Sequence, residues 1–202
     1  MPDDPRYDPA LLADGDRRNV VDEYRYWSLE AIRADLAARA RPFHVAVENW
    51  EHDFNIGAIV RTANAFGAGG VHIVGKRRWN RRGAMVTDRY LNVVHHADVD
   101  GLRSWVDGHG LALIGIENVP QALPLEQAVL PERCVLLFGQ EGPGLTPAAL
   151  AGSSALYRIS QCGSTRSLNA AAAAAIAMYH WSLNHSHQNG DRPLSGNSQV
   201  RA

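Results

Sequence analysis

The chain has only two cysteines in 202 residues, Cys134 and Cys162, far apart and in no Cys-x-x-Cys pair. That argues against a zinc ribbon or a disulfide-stapled scaffold. No apolar run approaches the roughly 18 residues of a membrane span. The amino terminus carries Asp3, Asp4, Asp8, Asp14 and Asp16 among prolines, with neither a basic start nor an apolar stretch. It does not read as a secretion signal, and a reducing cytoplasm is the expected setting. Three nucleotide and hydrolase signatures are missing: no Gly-x-Gly-x-x-Gly follows the first strand, and there is no P-loop and no Gly-x-Ser-x-Gly elbow. Neither sign of charge dominates, the formal net charge being -1. Bulk charge therefore does not announce a nucleic-acid binder, but distribution matters more than the sum. The stretch Lys76 to Arg82, "KRRWNRR", holds five positive charges and no negative one. His95-His96 and the tail pair His185 and His187 raise the question of a metal. No cysteine or carboxylate accompanies the tail pair at fixed spacing, and no metal is expected.

What is present is the pattern of one α/β domain: 46% hydrophobic and 20% charged residues, with short apolar runs alternating with helical ones. Residues 1–26 read as a tail, followed by a helix over "SLEAIRADLAARA" capped by Ser28 and stopped by Pro42. Five strands are expected, over 43–49, 71–74, 111–117, 134–139 and 155–160. Helices fall over 55–70, closed by glycines, and over 102–108, 145–150 and 168–183. Such alternation implies a parallel sheet covered on both faces by helices. The polar segment 185–202 reads as a disordered tail.

Three stretches carry candidate chemistry. In "NIGAIVRTANAFG", Asn55 and Arg61 are six apart, and Arg61 is the only charge between Asp53 and Lys76. A guanidinium is permanently charged and forked, which suits phosphate. On spacing alone Arg61 reads rather as an ordinary surface arginine on an amphipathic helix. In "CVLLFGQEGPGLTP" an apolar strand stops in a glycine-rich turn, where ligands of open α/β sheets bind, so Gln140 and Glu141 are well placed. Taken alone, this stretch is also a plain turn. In "ISQCGSTRSLNAAAAAAIA" Ser167, Leu168 and Asn169 precede six consecutive alanines, Ala170 to Ala175. Ser and Asn suit a helix start. A bare alanine face implies close packing against backbone or another helix.

Together these stretches resemble the three motifs of the SpoU-type (TrmH-like) RNA ribose 2′-O-methyltransferases of the SPOUT superfamily. The first motif corresponds to Asn55, "GAIVRTANAFG" and Arg61. The second corresponds to Gly139, Glu141, Gly144 and Leu145, and the third to Ile159 and "SLNAAAAAAIA". Ser160 stands where a proline is common. The resemblance spans about residues 43 to 184 and implies a SPOUT fold with a deep carboxy-terminal trefoil knot, an exception to unthreaded chains. It implies S-adenosylmethionine as methyl donor, held near Leu137, Gly139, Glu141, Ile159, Gln161, Ser167 and Leu168. Arg61, Asn55, Glu141, Ser167 and Asn169 are the implied catalytic residues, in a homodimer that needs no metal.

The loop "GKRRWNRRGAMVTDRY" mixes arginines with Trp79 and Tyr90. Given these motifs, Arg61, Lys76, Arg77, Arg78, Trp79, Arg81 and Arg82 are expected to grip RNA through phosphate contacts and stacking. The expected organisation is a leading segment over 1–41 and a methyltransferase domain over 42–184. Only about forty residues precede Phe43, too few for a second domain. The substrate expected is tRNA or rRNA. The competing reading is a catalytically idle, knotted RNA-binding or ribosome-assembly protein.

Overall fold

A computed structural model describes residues 4–51 and 55–185. The segment read as a carboxy-terminal tail, including His187, lies outside the described residues except for His185.

Seven strands form one wholly parallel sheet: β1 (Phe43–Asn49), β2 (Val71–Gly75), β3 (Val93–His96), β4 (Ala112–Ile116), β5 (Leu123–Pro124), β6 (Cys134–Phe138) and β7 (Ala155–Arg158). Their spatial order is β3-β2-β1-β6-β4-β7-β5. The helices are α1 (Pro9–Asp14), α2 (Leu29–Ala38), α3 (Ile56–Ala65), α4 (Val99–Gly108), α5 (Pro147–Gly152) and α6 (Ala170–His185). β6 is buried along its whole length, as a strand covered on both faces must be. Side chains alternate between two cores. Phe43, Val45, Leu136 and Phe138 join Ile59 of α3 and Trp181 of α6 on one face. Ala46, Val135 and Leu137 join Leu102 and Val106 of α4 and Ala149 of α5 on the other. The Phe43 and Trp181 rings lie 4.3 Å apart. Burial pushes the Cys134 thiol up to about 12, so this cysteine is inert core.

Helix ends follow local chemistry. Ser28 accepts from the Ala31 amide, Asp98 from Gly101 and Thr146 from Ala149. The Asp98 cap starts α4 three residues before the expected Leu102. α3 stops at Ala65, where the amides of Gly67 and Ala68 bond back to Asn64 and Ala63 carbonyls.

Two expectations need amendment. Seven strands form rather than five: β3 and β5 are short runs at the two sheet edges, too brief for a period to show. The segment read as a tail carries α1, capped by Asp8, and a bridge between Tyr7 and Trp27. It is held by Asp16, whose carboxylate accepts from the Arg18 side chain at 2.7 and 2.9 Å and from the Tyr26 amide at 2.8 Å. Asp8 and Asp16 are thus cap and turn acceptors. Tyr24, Trp27 and Ile32 then form a small core with Tyr90.

Three histidines sit side by side on the α4 face. His44 Nδ1 lies 3.1 Å from His72 Nε2, and His72 Nδ1 lies 2.8 Å from His96 Nε2. Trp105 of α4 covers them, its ring 4.2 Å from that of His72, and His109 stacks on Trp105 at 3.9 Å.

Candidate active site

The carboxyl ends of β1, β6 and β4 lie level, with Val47 opposite Phe138 and Phe138 opposite Ile116. Each strand leaves the core on a polar pair: Glu48-Asn49, Gln140-Glu141 one glycine after Phe138, and Glu117-Asn118. A cleft opens beyond them, lined by Ile116, Glu117, Phe138, Gly139, Gln161 and Leu168, with Glu141, Ile159 and Ser167 also on its wall. Its position is the one expected for ligands of open α/β sheets.

The turn after β6 is built backbone to backbone. Gln140 and Gly144 exchange hydrogen bonds of 3.3 and 3.0 Å. A Cβ on Gly139 would stand 2.1 Å from the Gly144 carbonyl carbon and 2.3 Å from the Leu145 nitrogen. Only glycine allows that approach. Gly139→Ala must push the Gly144-Leu145 backbone aside, at a cost of about 1–3 kcal/mol or more. We expect Tm to fall by several degrees, and an unchanged Tm in thermal denaturation would show that the turn is looser than this packing.

Side chains at the cleft mouth join the three sequence stretches. Asn55, before α3, donates to Glu141 Oε2 at 2.7 Å. Asn169, before α6, donates to Asn55 Oδ1 at 2.8 Å and more weakly to Glu141 Oε1 at 3.4 Å. Asn169 Oδ1 in turn accepts from the amides of Ala171 and Ala172, capping α6. Residues 114 positions apart are thus locked together. Ser167 and Leu168 sit on the cleft wall, and Ser167 does not cap the helix. Gln161 Oε1 is buried at the cleft and has no hydrogen-bond partner among the described residues.

Two expected site residues lie elsewhere. Leu137 does not line the cleft. Strand alternation turns it into the α4 core, and its neighbour Phe138 forms the wall instead. Arg61 is exposed on α3 and, among the described residues, makes no hydrogen bond or ion pair. Six residues of helix separate it from Asn55 by about 9 Å along the axis.

Sequence reasoning missed Glu117 and Glu48. Glu117 accepts from the Asn118 and Leu145 amides at 2.9 and 2.8 Å. Glu48 is fully buried and accepts from the Thr146 amide, the Thr146 hydroxyl and the Trp50 indole. Gln140 Oε1 holds the amides of Trp50 and Glu51, both at 2.7 Å. The available signal was a carboxylate ending an otherwise apolar strand run, in "VEN" and again in "IEN".

The basic loop is anchored to the same sheet edge. Asn49 donates to the carbonyls of Lys76 and Arg78 at 2.6 and 2.9 Å. Lys76, Arg77, Arg78, Arg81 and Arg82 are exposed, and Trp79 is half-buried against the core. The Arg81 guanidinium lies 5.4 Å from the Trp79 ring centroid and pairs with Asp88 at 3.3 Å. Among the described residues no group of His, Cys, Asp or Glu side chains is placed to hold a metal ion.

Known proteins place this geometry. A model of the SpoU rRNA Methylase family matches residues 42–179. The tRNA (guanosine(18)-2′-O)-methyltransferase of Escherichia coli K12 is 27% identical over 168 residues, covering 82% of this chain and 72% of that protein. The TrmH/SpoU tRNA modifying enzyme of A. aeolicus superposes with a TM-score of 0.69 at 20% identity, over 78% of this chain and 82% of that one. The SpoU methyltransferase AviRb from Streptomyces viridochromogenes, solved with AdoMet, gives a TM-score of 0.65 at 24% identity, over 73% of this chain and 59% of that one. The seven-stranded sheet, the glycine-walled turn and the Asn55–Glu141–Asn169 junction thus sit within the span of the family match, and the chain belongs to the SpoU methylase family.

Proposed function

We propose that this protein is an S-adenosylmethionine-dependent RNA ribose 2′-O-methyltransferase acting on tRNA or rRNA. The observation that carries the reading is the hydrogen-bonded junction of Asn55, Glu141 and Asn169 at the mouth of the cleft. It ties all three sequence stretches to one point.

The residues present fit the cofactor. Ile116, Phe138, Ile159 and Leu168 give apolar walls, Gly139 brings backbone close, and Gln161 adds a polar side chain to the lining. Bound there, S-adenosylmethionine supplies an electrophilic methyl group. The cleft holds about 100 Å³, below the roughly 300–1,000 Å³ of ligand pockets.

The ribose 2′-hydroxyl is a poor nucleophile; its oxygen takes the methyl from the sulfonium, a neutral thioether leaves, and its proton passes to solvent water. A guanidinium is a donor without a free lone pair and is no base. The role of Arg61 in this reading is to clamp the neighbouring phosphate and stabilise the developing charge on oxygen. The amides of Asn55 and Asn169, ordered by Glu141, hold the ribose, and Ser167 lies beside them on the cleft wall.

α6 is apolar nearly all round, yet Ile176, Tyr179 and Leu183 are 42%, 55% and 54% exposed on one face. Such a helix belongs inside an assembly. A second copy of this chain is the occupant proposed for that face. Arg61 lies one turn before Ala65 and Phe66, and the Phe66 ring is 6.5 Å from Tyr179, so the arginine borders the proposed dimer face. We assign residues 42–184 to the catalytic domain and 1–41 to a leading segment. The trefoil knot belongs to the same reading. It is supported by β6 and β7 entering slots between strands laid down earlier in the chain. No helix among the described residues is long and apolar enough to cross a membrane, and a cytoplasmic setting is proposed.

Two binding measurements test the halves of this reading separately. Calorimetry should detect S-adenosylmethionine on the wild type, and Gln161→Ala should weaken it about tenfold through one lost hydrogen bond. Arg77→Glu with Arg78→Glu should weaken RNA binding by tenfold or more and flatten its salt dependence, with cofactor affinity unchanged. Equal losses for RNA and cofactor would instead indicate a damaged fold.

A further inference from the structure

In the loop between β2 and β3 the basic run is followed by two consecutive residues with left-handed backbone, Met85 at φ 47° and Val86 at φ 71°. Neither is a residue that takes this conformation readily, and a β-branched valine there is disfavoured. Both side chains are exposed, at 50% and 51%. The pair therefore combines a strained backbone with apolar side chains in water. Such strain persists only where the surroundings impose it, and it gathers at functional sites.

The surroundings that impose it are visible. The loop and the first turn of α3 meet backbone to backbone. A Cβ on Gly57 would stand 2.9 Å from the Gly83 and Ala84 nitrogens, and one on Gly83 would stand 2.8 Å from the Ala58 nitrogen. Beyond the pair, the buried Thr87 hydroxyl donates to the Ala84 carbonyl at 2.6 Å and closes the loop beneath its tip. Tyr90 then enters the small core of Tyr24, Trp27 and Ile32. The Arg33 side chain donates to the Arg89 carbonyl. The loop is thus fixed on both sides of its tip, with the apolar pair held outward.

Two observations say what the tip meets. It stands beside the proposed active site, because Gly57 is two residues after Asn55 and Met85 is two residues after Gly83, a reach of about 7 Å of chain. It also stands within positive charge. Exposed Arg81 and Arg82 precede the pair and exposed Arg89 follows it. The one acid between Lys76 and Tyr90 is Asp88, which Arg81 engages at 3.3 Å. A partner with an apolar face between negative charges fits this arrangement, and an unpaired base between its phosphates has that form.

We infer that Met85 and Val86 form an apolar wedge that packs against an unpaired base close to the methylated ribose, while the neighbouring arginines hold the phosphates around it. The inference rests on the reading of the chain as an RNA methyltransferase. Methionine is among the side chains that proteins insert between bases. The wedge adds to the basic loop a contact that depends on stacking and not on charge.

Asparagine tolerates the left-handed region, so Met85→Asn with Val86→Asn removes the apolar tip and relieves the backbone together. Tm of this variant should hold or rise, which separates any loss of binding from a folding defect; a lower Tm would contradict the strain on which the wedge rests. Binding to unmodified tRNA and rRNA is measured by fluorescence anisotropy across a salt series. The affinity shown by the wild type should fall about tenfold or more at every salt concentration, the effect of losing buried apolar contact. The slope against log salt should stay the same, because no phosphate contact is lost. Met85→Leu, still apolar, should bind as the wild type does, and cofactor affinity should be equal in all three proteins. Wild-type RNA affinity in the double variant would overturn the inference. A flattened slope would overturn it too, by assigning the loss to displaced charges. A changed sedimentation mass with RNA affinity intact would give the tip to a second copy of the chain instead. A wild type that binds cofactor but neither RNA would sink the RNA reading, and the wedge with it.

Discussion

Replacing Arg61 by alanine is expected to lower methyl transfer by about two to three orders of magnitude, the range seen when one charge-stabilising donor is removed, with cofactor affinity unchanged. The expectation follows from where the residue sits. Arg61 is exposed and, among the described residues, bonds to nothing, so its removal leaves the fold and the cleft intact. It is also about 9 Å along α3 from Asn55, outside the junction that shapes the cleft mouth. Its charge is therefore available to substrate alone. Arg61→Lys should recover little, because an ammonium cannot present the forked pair of donors to a phosphate. Turnover and calorimetric cofactor binding, measured on the same preparation, check the point. Near-normal turnover in Arg61→Ala would move the charge-stabilising role elsewhere.

The second large effect is on stability in acid. His44, His72 and His96 form a row across β1, β2 and β3. Burial first, then the charges of His109 and Arg133, bring His44 down to about 4 from its ordinary 6.5. Burial and the neighbouring His44, His96 and His109 bring His72 down to about 3. His96 is lowered by burial and His95, against the Gly101 amide and Asp98, which favour its protonation. The unfolded chain binds protons at these sites as pH falls through about 6.5, while the folded chain keeps them neutral. Stability is therefore complete above that pH and declines as pH falls toward the depressed values. Between pH 7 and pH 5 the loss should be of order 2–4 kcal/mol, a large share of a typical domain's stability. Asp16 does not act in this window, because its carboxyl is held below an ordinary 3.8 by the Arg18 side chain. Urea unfolding at pH 7, 6 and 5 measures the slope. His72→Gln, which keeps a polar partner without titrating, should flatten it by about half; an unchanged slope would exclude the histidine row as its source.

Much of the architecture was legible because it rests on long signals. "FHVAVEN" and "CVLLFG" are apolar enough to be strands buried on both faces, and Ser28 marks a helix start by its side-chain chemistry, whereas the Asp98 and Thr146 caps were not read. "VVHH" was not legible, since four residues with two histidines show no period. Its burial comes from Trp105 and the other histidines, which the fold brings in from distant positions. The amino-terminal segment misled because Asp8 and Asp16 look like solvated acids until their acceptor roles are seen. At the site, motif spacing placed Asn55, Glu141 and Asn169 together but could not give their hydrogen bonds. Leu137 was misplaced by one residue, which in a strand is a change of face. Two alanines flanking Ile176 also become intelligible. Ala174 and Ala177 are fully buried where α6 lies against α3 and the sheet, leaving no room for larger side chains.

The central claim is methyl transfer to an RNA ribose, and one measurement addresses it directly. The purified chain is incubated with methyl-labelled S-adenosylmethionine and, in separate reactions, unmodified tRNA and unmodified rRNA, and the RNA is digested to nucleosides. The account predicts label in a 2′-O-methyl nucleoside from one pool, abolished to within about a hundredth by Arg61→Ala. Label on a base, or none in either pool while cofactor binding is intact, would contradict it.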